Sequence, residues 1–197
     1  MTPGNPPTTW IWLRHAPVVG GQGLTGRRDP VIATPDPGAL AACVNALPPV
    51  SAVSASPARR CVETLAALRA AGVRLPAESL CPAFWEQDFG AWEGRDPAAC
   101  DWPRQADLTT MAAFVPPDGE SFVTLCARVR AEIGRVNAAH PGETIAVCAH
   151  AGTIRAALVA ALGCDPGAGL AFDVRPLSLT RLTAFGDQGW RVDAVNV

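Results

Sequence analysis

The chain has 197 residues, a length typical of one domain, and its hydrophobic content of 49% excludes an intrinsically disordered protein. Its formal net charge is −2, unlike the basic charge of a general nucleic-acid-binding protein. All sixteen basic residues are arginine and tyrosine is absent, which excludes chemistry that needs a lysine amine or a tyrosine phenol.

The first part of the chain predicts strands and helices in alternation. Residues 1–8 are polar and Pro-rich and are predicted to form a disordered arm, and the apolar run 10–13 predicts a buried strand. After a Gly- and Pro-rich loop over 16–36, the pattern predicts a helix over 37–46, a strand over 51–55, a helix over 57–71 and a strand over 73–80. Ser56 is the predicted N-cap of the second helix, with Pro57 in its first turn.

The second part continues the alternation after a Trp-, Pro- and Asp-rich stretch, 81–118. Short helices are predicted near 97–101 and 106–113 within this stretch. The remaining predicted elements are a helix from Asp118 to about 139, a strand over 144–148, a helix over 152–162, and strands over 178–185 and 190–195.

This alternation predicts an α/β fold with one domain over 9–197. We expect a three-layer α/β/α sandwich in which helices cover both faces of a mostly parallel central sheet. In such a sheet a ligand binds outside the carboxyl ends of the strands.

Seven scattered cysteines without a C-x-x-C spacing predict neither a zinc site nor a disulfide framework. The N-terminus lacks the basic and apolar regions of a secretory signal, and no apolar run is long enough to span a membrane. We therefore expect a cytoplasmic protein without a metal, a membrane partner or a nucleic-acid partner.

Two predicted strands end in residues suited to an anion. Arg14 and His15 follow the first strand, and His150 follows the strand over 144–148 and leads through Gly152 into a helix. Arginine offers forked donors that match phosphate oxygens, and a helix N-terminus favours negative charge. Arg60, in the first turn of the helix after Ser56-Pro57, can face the same crevice.

A carboxyl group is the remaining candidate for chemistry. Glu86 lies among Phe84, Trp85 and Phe89, where loss of water favours the neutral acid that proton donation requires. Two further acids of the same stretch, Asp88 and Glu93, are interpreted as solvated surface residues.

Four segments, in this order, resemble the motifs of the histidine phosphatase superfamily, the phosphoglycerate-mutase-like phosphatases. They are Leu13-Arg14-His15, Ser56-Pro57-x-x-Arg60-x-x-x-Thr64, Glu86-x-x-Phe89-Gly90-x-Trp92-Glu93-Gly94, and His150-x-Gly152-x-Ile154-Arg155. Thr25-Gly26-x-x-Asp29 resembles the family's loop after the first motif, and Gly119-Glu120-Ser121 with Arg128 resembles its later helix opening.

The resemblance implies that His15 is a nucleophile that accepts the phosphoryl group. It implies that Arg14, Arg60 and His150 hold the phosphoryl oxygens, and that Glu86 protonates the leaving alcohol and then activates water. Positive side chains would supply the charge stabilisation that phosphoryl transfer needs, so no cofactor is implied.

The resemblance also suggests substrate-binding residues. These are Thr25, Gly26, Gln22 and Gly152, with the Gln22 amide replacing an asparagine that the family usually has where Gly21 stands. The residue after the nucleophile is Ala16 where the family usually has glycine.

The resemblance favours a metal-independent phosphomonoesterase, an acid-type histidine phosphatase, that acts on a small phosphorylated metabolite. Within the family, the chain's size and its compact Trp-Glu-Gly region most resemble the small bacterial phosphatases, which include those acting on α-ribazole 5′-phosphate. A phosphoglycerate mutase and a catalytically silent protein that binds a phosphorylated ligand or phosphoprotein are the alternatives. The oligomeric state is open, and a homodimer is one option.

Overall fold

Six strands and six α-helices occur within residues 6–21 and 23–197, the part of the chain that the computed structural model describes. The strands are β1 (Thr8–Arg14), β2 (Ala52–Ala55), β3 (Glu78–Leu80), β4 (Thr144–Ala149), β5 (Leu179–Ala184) and β6 (Trp190–Ala194). The helices are α1 (Pro37–Ala46), α2 (Arg59–Ala70), α3 (Leu108–Ala113), α4 (Phe122–Ala139), α5 (Ala151–Leu162) and α6 (Pro166–Gly169).

The strands form one sheet in the order β3-β2-β4-β1-β5-β6. The pairs β3–β2, β2–β4 and β4–β1 are parallel, whereas β5 and β6 add an antiparallel edge. Because β4 lies between β2 and β1, strands that are distant in sequence end side by side. The crevice outside their carboxyl ends is the position expected for a ligand.

The central strand β1 separates two apolar layers. Trp10 and Trp12 point into a core built with α4 and α5, whereas Ile11 and Leu13 point into a second core built with α1 and α2. A strand that is buried on both faces reads as a continuous apolar run, which explains why residues 10–13 contain no polar side chain. The predicted three-layer α/β/α sandwich is confirmed.

Some predicted boundaries are wrong. β1 begins at Thr8, the last residue of the predicted arm, because its buried hydroxyl donates to the His140 carbonyl at 3.0 Å and accepts from the Gly142 N–H at 3.1 Å. Residues 1–5 lie outside the described residues, so the disordered arm stays a prediction there. Of the residues 73–80 that were predicted as a strand, only Glu78–Leu80 form one. The helix predicted near 97–101 is a single 3₁₀ turn, Pro97–Ala99.

The predicted start of α2 is also wrong. Its N-cap is Ala58 and not Ser56, and Pro57 lies before the first turn. The Ser56 hydroxyl accepts from the Ala58 N–H at 3.3 Å, before the helix begins, and also lies 2.8 Å from Nε2 of His150 in the crevice.

No helix among the described residues is both long and apolar enough to cross a membrane.

Candidate active site

The ring of His15 is fixed directly after β1. Its Nδ1 lies 2.7 Å from the carbonyl oxygen of Ala16, and because a carbonyl only accepts, Nδ1 carries the proton. Burial, and then the charge of Arg60, lower the pKa of His15 to about 3, so the ring is neutral at neutral pH. The lone pair of Nε2 is therefore available for chemistry.

The backbone beside this histidine is anchored to α2. The Ala16 N–H donates to the Thr64 hydroxyl at 2.9 Å, and that hydroxyl donates to the Arg60 carbonyl at 2.7 Å. Thr64 is fully buried and joins the His15–Ala16 segment to the helix that carries Arg60.

His150 lies beside His15 with the opposite ring arrangement. The two ring centroids are 5.2 Å apart, and the Nε of Arg60 donates to Nδ1 of His150 at 3.1 Å. The proton of the neutral ring is consequently on Nε2, which donates to the Ser56 hydroxyl. Burial, and then the charge of Arg60, lower the pKa of His150 well below its ordinary value.

Two arginines supply the positive charge of this cluster. Arg60 has no exposed surface, and Arg14 is half-buried at the end of β1. The Arg14 Nη1 donates to the Val174 carbonyl, but its buried Nε has no hydrogen-bond partner among the described residues. A buried donor without a partner is costly, and the oxygen of a bound anion would satisfy it.

Glu86 reaches the cluster from the other side, at the N-terminus of α5. Its carboxylate accepts from the Gly152 N–H at 3.0 Å and from the Gln87 N–H at 2.9 Å. Gly152 is a close-approach residue, because a Cβ there would lie well inside van der Waals distance of Glu86 Oε1. The predicted substrate-binding role of Gly152 stays a prediction, since its N–H is bound to Glu86 in this structure.

The backbone around Glu86 is held by Arg128. This guanidinium donates to the carbonyls of Ala83 at 2.7 Å, Trp85 at 2.8 Å and Glu86 at 2.9 Å, and it pairs with Glu120 at 2.6 Å. Glu120 and Arg128 both belong to the helix opening that resembled the family. In the structure they hold the backbone of the segment that contains Glu86.

The loop that was predicted to bind substrate contacts Arg60. The carbonyls of Thr25, Gly26 and Arg28 lie 3.5, 2.9 and 2.7 Å from its terminal nitrogens. Thr25 and Gly26 thus lie at the site, and their predicted contact with substrate stays a prediction. Gln22 lies outside the described residues.

Glu93 was interpreted as a solvated surface residue, and that interpretation is wrong. Its carboxylate accepts four backbone N–H groups, three of which belong to the loop around Gly26. The Trp-Glu-Gly motif was visible in the sequence, but the loop that Glu93 binds lies more than sixty residues earlier in the chain.

Aromatic surface lies next to the cluster of His15, His150, Arg14 and Arg60. The half-buried Trp85 ring is nearly parallel to the His150 ring, with centroids 6.4 Å apart, and the Arg27 guanidinium lies 5.4 Å from the Trp85 ring centroid. Arg27 also lies 3.6 Å from Asp88 and 3.8 Å from Glu120, so its charge is partly balanced.

The five residues predicted to be catalytic therefore converge at the carboxyl ends of β1 and β4 and the N-termini of α2 and α5. The arrangement combines a neutral imidazole nitrogen, two guanidiniums and a carboxyl group, which are the groups that a metal-independent phosphoryl transfer requires. The described residues contain no group of three or more His, Cys, Asp or Glu side chains placed to hold a metal ion.

Comparison with known proteins assigns the family. The sequence profile of the histidine phosphatase superfamily (branch 1) matches residues 37–197. This range includes Arg60, Glu86 and His150, whereas Arg14 and His15 precede it. No curated protein matches the chain.

Solved structures agree with this fold. A candidate alpha-ribazole-5′-P phosphatase of Escherichia coli has a TM-score of 0.80 at 20% identity, covering 96% of both chains. The alpha-ribazole phosphatase of Shigella flexneri has a TM-score of 0.79 at 17% identity, covering 96% of both chains. A mycobacterial glucosyl-3-phosphoglycerate phosphatase has a TM-score of 0.77 at 23% identity, covering 97% of this chain and 99% of that one.

The fold and the matched profile define a class of α/β proteins whose candidate active site is a crevice with two histidines. The chain belongs to the histidine phosphatase superfamily, and this membership supports phosphatase activity.

Proposed function

We propose that this protein is a metal-independent phosphomonoesterase that hydrolyses a small phosphorylated metabolite through a phosphohistidine intermediate. The observation that carries the proposal is the state of His15, whose Nδ1 is committed to the Ala16 carbonyl while Nε2 is unprotonated beside Arg14 and Arg60. A covalent intermediate divides the hydrolysis into two in-line displacements.

In the first displacement, Nε2 of His15 forms a bond to phosphorus as the bond from phosphorus to the ester oxygen breaks. Glu86 gives its proton to the departing alkoxide, so that the product leaves as a neutral alcohol. Arg14, Arg60 and His150 surround the transferred group, and the charges of the two guanidiniums balance the charge on its equatorial oxygens. The Arg14 Nε, which has no partner among the described residues, is free to donate to one of these oxygens.

In the second displacement, a water oxygen forms the new bond to phosphorus and the bond from phosphorus to Nε2 breaks. Glu86, now ionised, takes a proton from the water, and inorganic phosphate leaves. The enzyme returns to its starting protonation state, with Nδ1 of His15 still bound to Ala16.

α-Ribazole 5′-phosphate is the substrate that we propose within this class. Two of the similar structures are an alpha-ribazole phosphatase and a candidate alpha-ribazole-5′-P phosphatase. The Trp85 ring beside the cluster favours a leaving group with a flat apolar face. Because Asp88 and Glu120 balance the charge of Arg27, a neutral leaving group suits this rim better than a carboxylate does.

The test is phosphate release, measured with EDTA present, from a panel of monoesters. The panel contains p-nitrophenyl phosphate, α-ribazole 5′-phosphate, 3-phosphoglycerate, glucosyl-3-phosphoglycerate, sugar phosphates and a phosphopeptide. Release in EDTA with the highest kcat/KM for α-ribazole 5′-phosphate is the expected result. Transfer of the phosphoryl group between phosphoglycerates without net release would instead favour the mutase, and no turnover of any ester would favour a silent binding protein.

The nucleophile is tested in the same assay with His15→Ala. This substitution removes the attacking nitrogen, so we expect kcat to fall by about 10³-fold or more. Circular dichroism and the melting temperature report whether the fold is retained. Turnover near the wild-type rate from a folded His15→Ala protein would end the phosphohistidine mechanism.

A further inference from the structure

The carboxylate of Glu93 is saturated with backbone donors. Oε1 accepts from the N–H groups of Arg27 at 2.8 Å and Phe89 at 3.2 Å, and Oε2 accepts from those of Gly26 at 3.0 Å and Arg28 at 3.1 Å. A carboxylate has about four lone-pair positions, so these bonds use its full capacity. One side chain thus fixes three consecutive peptide groups of the segment 26–28.

The carbonyl groups of the same segment point toward Arg60. Gly26 and Arg28 accept from its Nη2 and Nη1 at 2.9 and 2.7 Å, and the neighbouring Thr25 carbonyl lies 3.5 Å from Nη2. The segment therefore has Glu93 on its amide side and the buried guanidinium on its carbonyl side. Nε is bound to His150 and Nη1 lies 3.5 Å from Asp29 Oδ1, so these contacts together hold the orientation of the Arg60 fork.

The packing around the segment 26–28 leaves it little room to move. A Cβ at Gly26 would lie well inside van der Waals distance of the Gln87 carbonyl oxygen and of Glu93 Oε1. The backbone next to Glu93 is joined to the loop by bonds from the Gly94 N–H to the Leu24 carbonyl at 2.7 Å and from the Leu24 N–H to the Arg95 carbonyl at 2.9 Å. A displacement of Glu93 must consequently move the carbonyls that hold Arg60.

We propose that Glu93 is a positioning residue for phosphoryl transfer, which acts through the segment 25–28 to hold the charged Arg60 guanidinium beside His15 and His150. This inference rests on the proposed function, since it takes the charge of Arg60 as part of what binds the phosphoryl group. It assigns to the acid of the Trp-Glu-Gly motif a purpose other than contact with the substrate.

Removal of the carboxylate should weaken phosphate binding without unfolding the protein. In Glu93→Gln the amide nitrogen faces backbone N–H donors that it cannot accept from, so the segment and the Arg60 fork lose their alignment. A misplacement of about 1 Å in a catalytic constellation can cost roughly 10²-fold in rate. We expect about a tenfold weaker affinity for orthophosphate and about a 10²-fold lower kcat/KM.

The experiment is a double-mutant cycle with inorganic phosphate as the probe. The dissociation constant is measured by calorimetry for the wild type, Glu93→Gln, Arg60→Lys and the double variant. If Glu93 acts through Arg60, each single variant loses affinity and the double variant is no weaker than Arg60→Lys alone. A role of Glu93 in fold stability alone would not produce this non-additivity.

Glu63→Gln is the matched control. Glu63 also accepts a backbone N–H of the loop after β1, that of Ile32 at 2.9 Å, but it does not contact the segment that binds Arg60. This variant is expected to bind orthophosphate as the wild type does. Glu93→Asp, which keeps the charge on a shorter side chain, should recover part of the affinity and replaces Glu93→Gln in the cycle if the latter does not fold.

Several outcomes would overturn the inference. Unchanged phosphate affinity in Glu93→Gln, losses that add in the double variant, or an equal loss in Glu63→Gln would each do so while the proposed function stands. A wild-type protein that binds no orthophosphate would remove the proposed function itself, and this inference with it.

Discussion

At the scale of single residues, the two histidines of the crevice are distinguished by what their Nδ1 atoms contact. Nδ1 of His15 donates to a carbonyl, and Nδ1 of His150 accepts from a guanidinium. Because a neutral imidazole has one proton, these contacts leave His15 with a free Nε2 lone pair and commit Nε2–H of His150 to Ser56. Only the first ring is arranged to attack, although both follow strands of the same sheet.

Glu86→Gln should slow the hydrolysis of an ester more strongly when its leaving group needs a proton as it departs. An alkoxide requires protonation as it departs, whereas p-nitrophenolate is stable without it. We expect kcat/KM to fall by about 10² to 10⁴ for an alkyl phosphate such as α-ribazole 5′-phosphate and by about tenfold or less for p-nitrophenyl phosphate. The measurement is kcat/KM for both esters at one pH, for the wild type and the variant.

Equal losses on the two esters would contradict the acid role of Glu86. The role is specific to the first displacement, which kcat/KM reports when the covalent step is irreversible. The second displacement is common to both esters, so a defect limited to it would appear in kcat and would not separate the two substrates.

The residues that carry the proposed chemistry could be predicted from the sequence, and those that hold them could not. Arg14, His15 and His150 follow apolar strands, so their side chains had to meet at one edge of the sheet. Glu93 and Thr64 act on backbone groups of the loop after β1, at sequence separations of 65 to 67 and of 48 residues. Nothing in local composition indicates which peptide groups a distant side chain will bind.

At the scale of elements, helix α5 has a glycine in its first turn for reasons of space. Gly152 lies in its first turn, and there a Cβ would collide with the Glu86 carboxylate. Gly134 in α4 is a contrasting case, because a Cβ added there meets no atom within 4 Å. A Gly→Ala substitution made once in each helix therefore distinguishes the effect of helix propensity from the effect of the added methyl group on the site.

Gly152→Ala should reproduce the leaving-group pattern of Glu86→Gln, because the added methyl group displaces the carboxylate from its position on the α5 backbone. We expect about a 10²-fold lower kcat/KM on an alkyl phosphate with the fold retained. Gly134→Ala is the control, and it should leave activity unchanged while raising the free energy of unfolding by roughly 0.5 to 1 kcal/mol. Wild-type kinetics in Gly152→Ala would show that this close approach is not required for catalysis.

The elements were predicted well where periodicity was strong and poorly where one side chain had two possible partners. The 18-residue helix α4 and the buried strand β4 lie close to their predicted bounds. The start of α2 was misplaced because Ser56 lies two residues before the N-cap Ala58, where its hydroxyl contacts both the Ala58 N–H and His150. The strand over 73–80 was predicted too long, because only three of its residues pair with β2.

At the scale of the whole molecule, the fold could be predicted because its pattern is redundant. The two central strands, β1 and β4, are buried on both faces, and each long helix has one apolar stripe, so a sheet between helix layers buries them all. The insertion of β4 between β1 and β2 is a different matter. It depends on which strands pair across more than ninety residues, and the hydrophobic pattern alone does not encode that order.

Burial of two histidines should make the stability of the whole protein depend on pH. Burial, and then Arg60, lower the pKa of His15 to about 3 and that of His150 well below its ordinary value, whereas histidine in an unfolded chain titrates near about 6.5. Between the two values the unfolded state binds more protons than the folded state. The stability is therefore complete above about pH 6.5 and is lost as the pH falls, with His15 contributing about 2 kcal/mol of the loss between pH 7 and pH 5.

Denaturant unfolding of the wild type and His15→Gln at pH 7 and pH 5 measures this contribution. The quantity to compare is the difference in the free energy of unfolding between the two pH values, because the destabilisation caused by the substitution itself cancels. Carboxylates whose pKa values are lowered by their partners, such as Glu63 and Glu78, titrate in both proteins and cancel as well. We expect the difference to be about 2 kcal/mol smaller in His15→Gln. An unchanged difference would mean that His15 binds protons equally in the folded and unfolded states, and burial and Arg60 would then not lower its pKa.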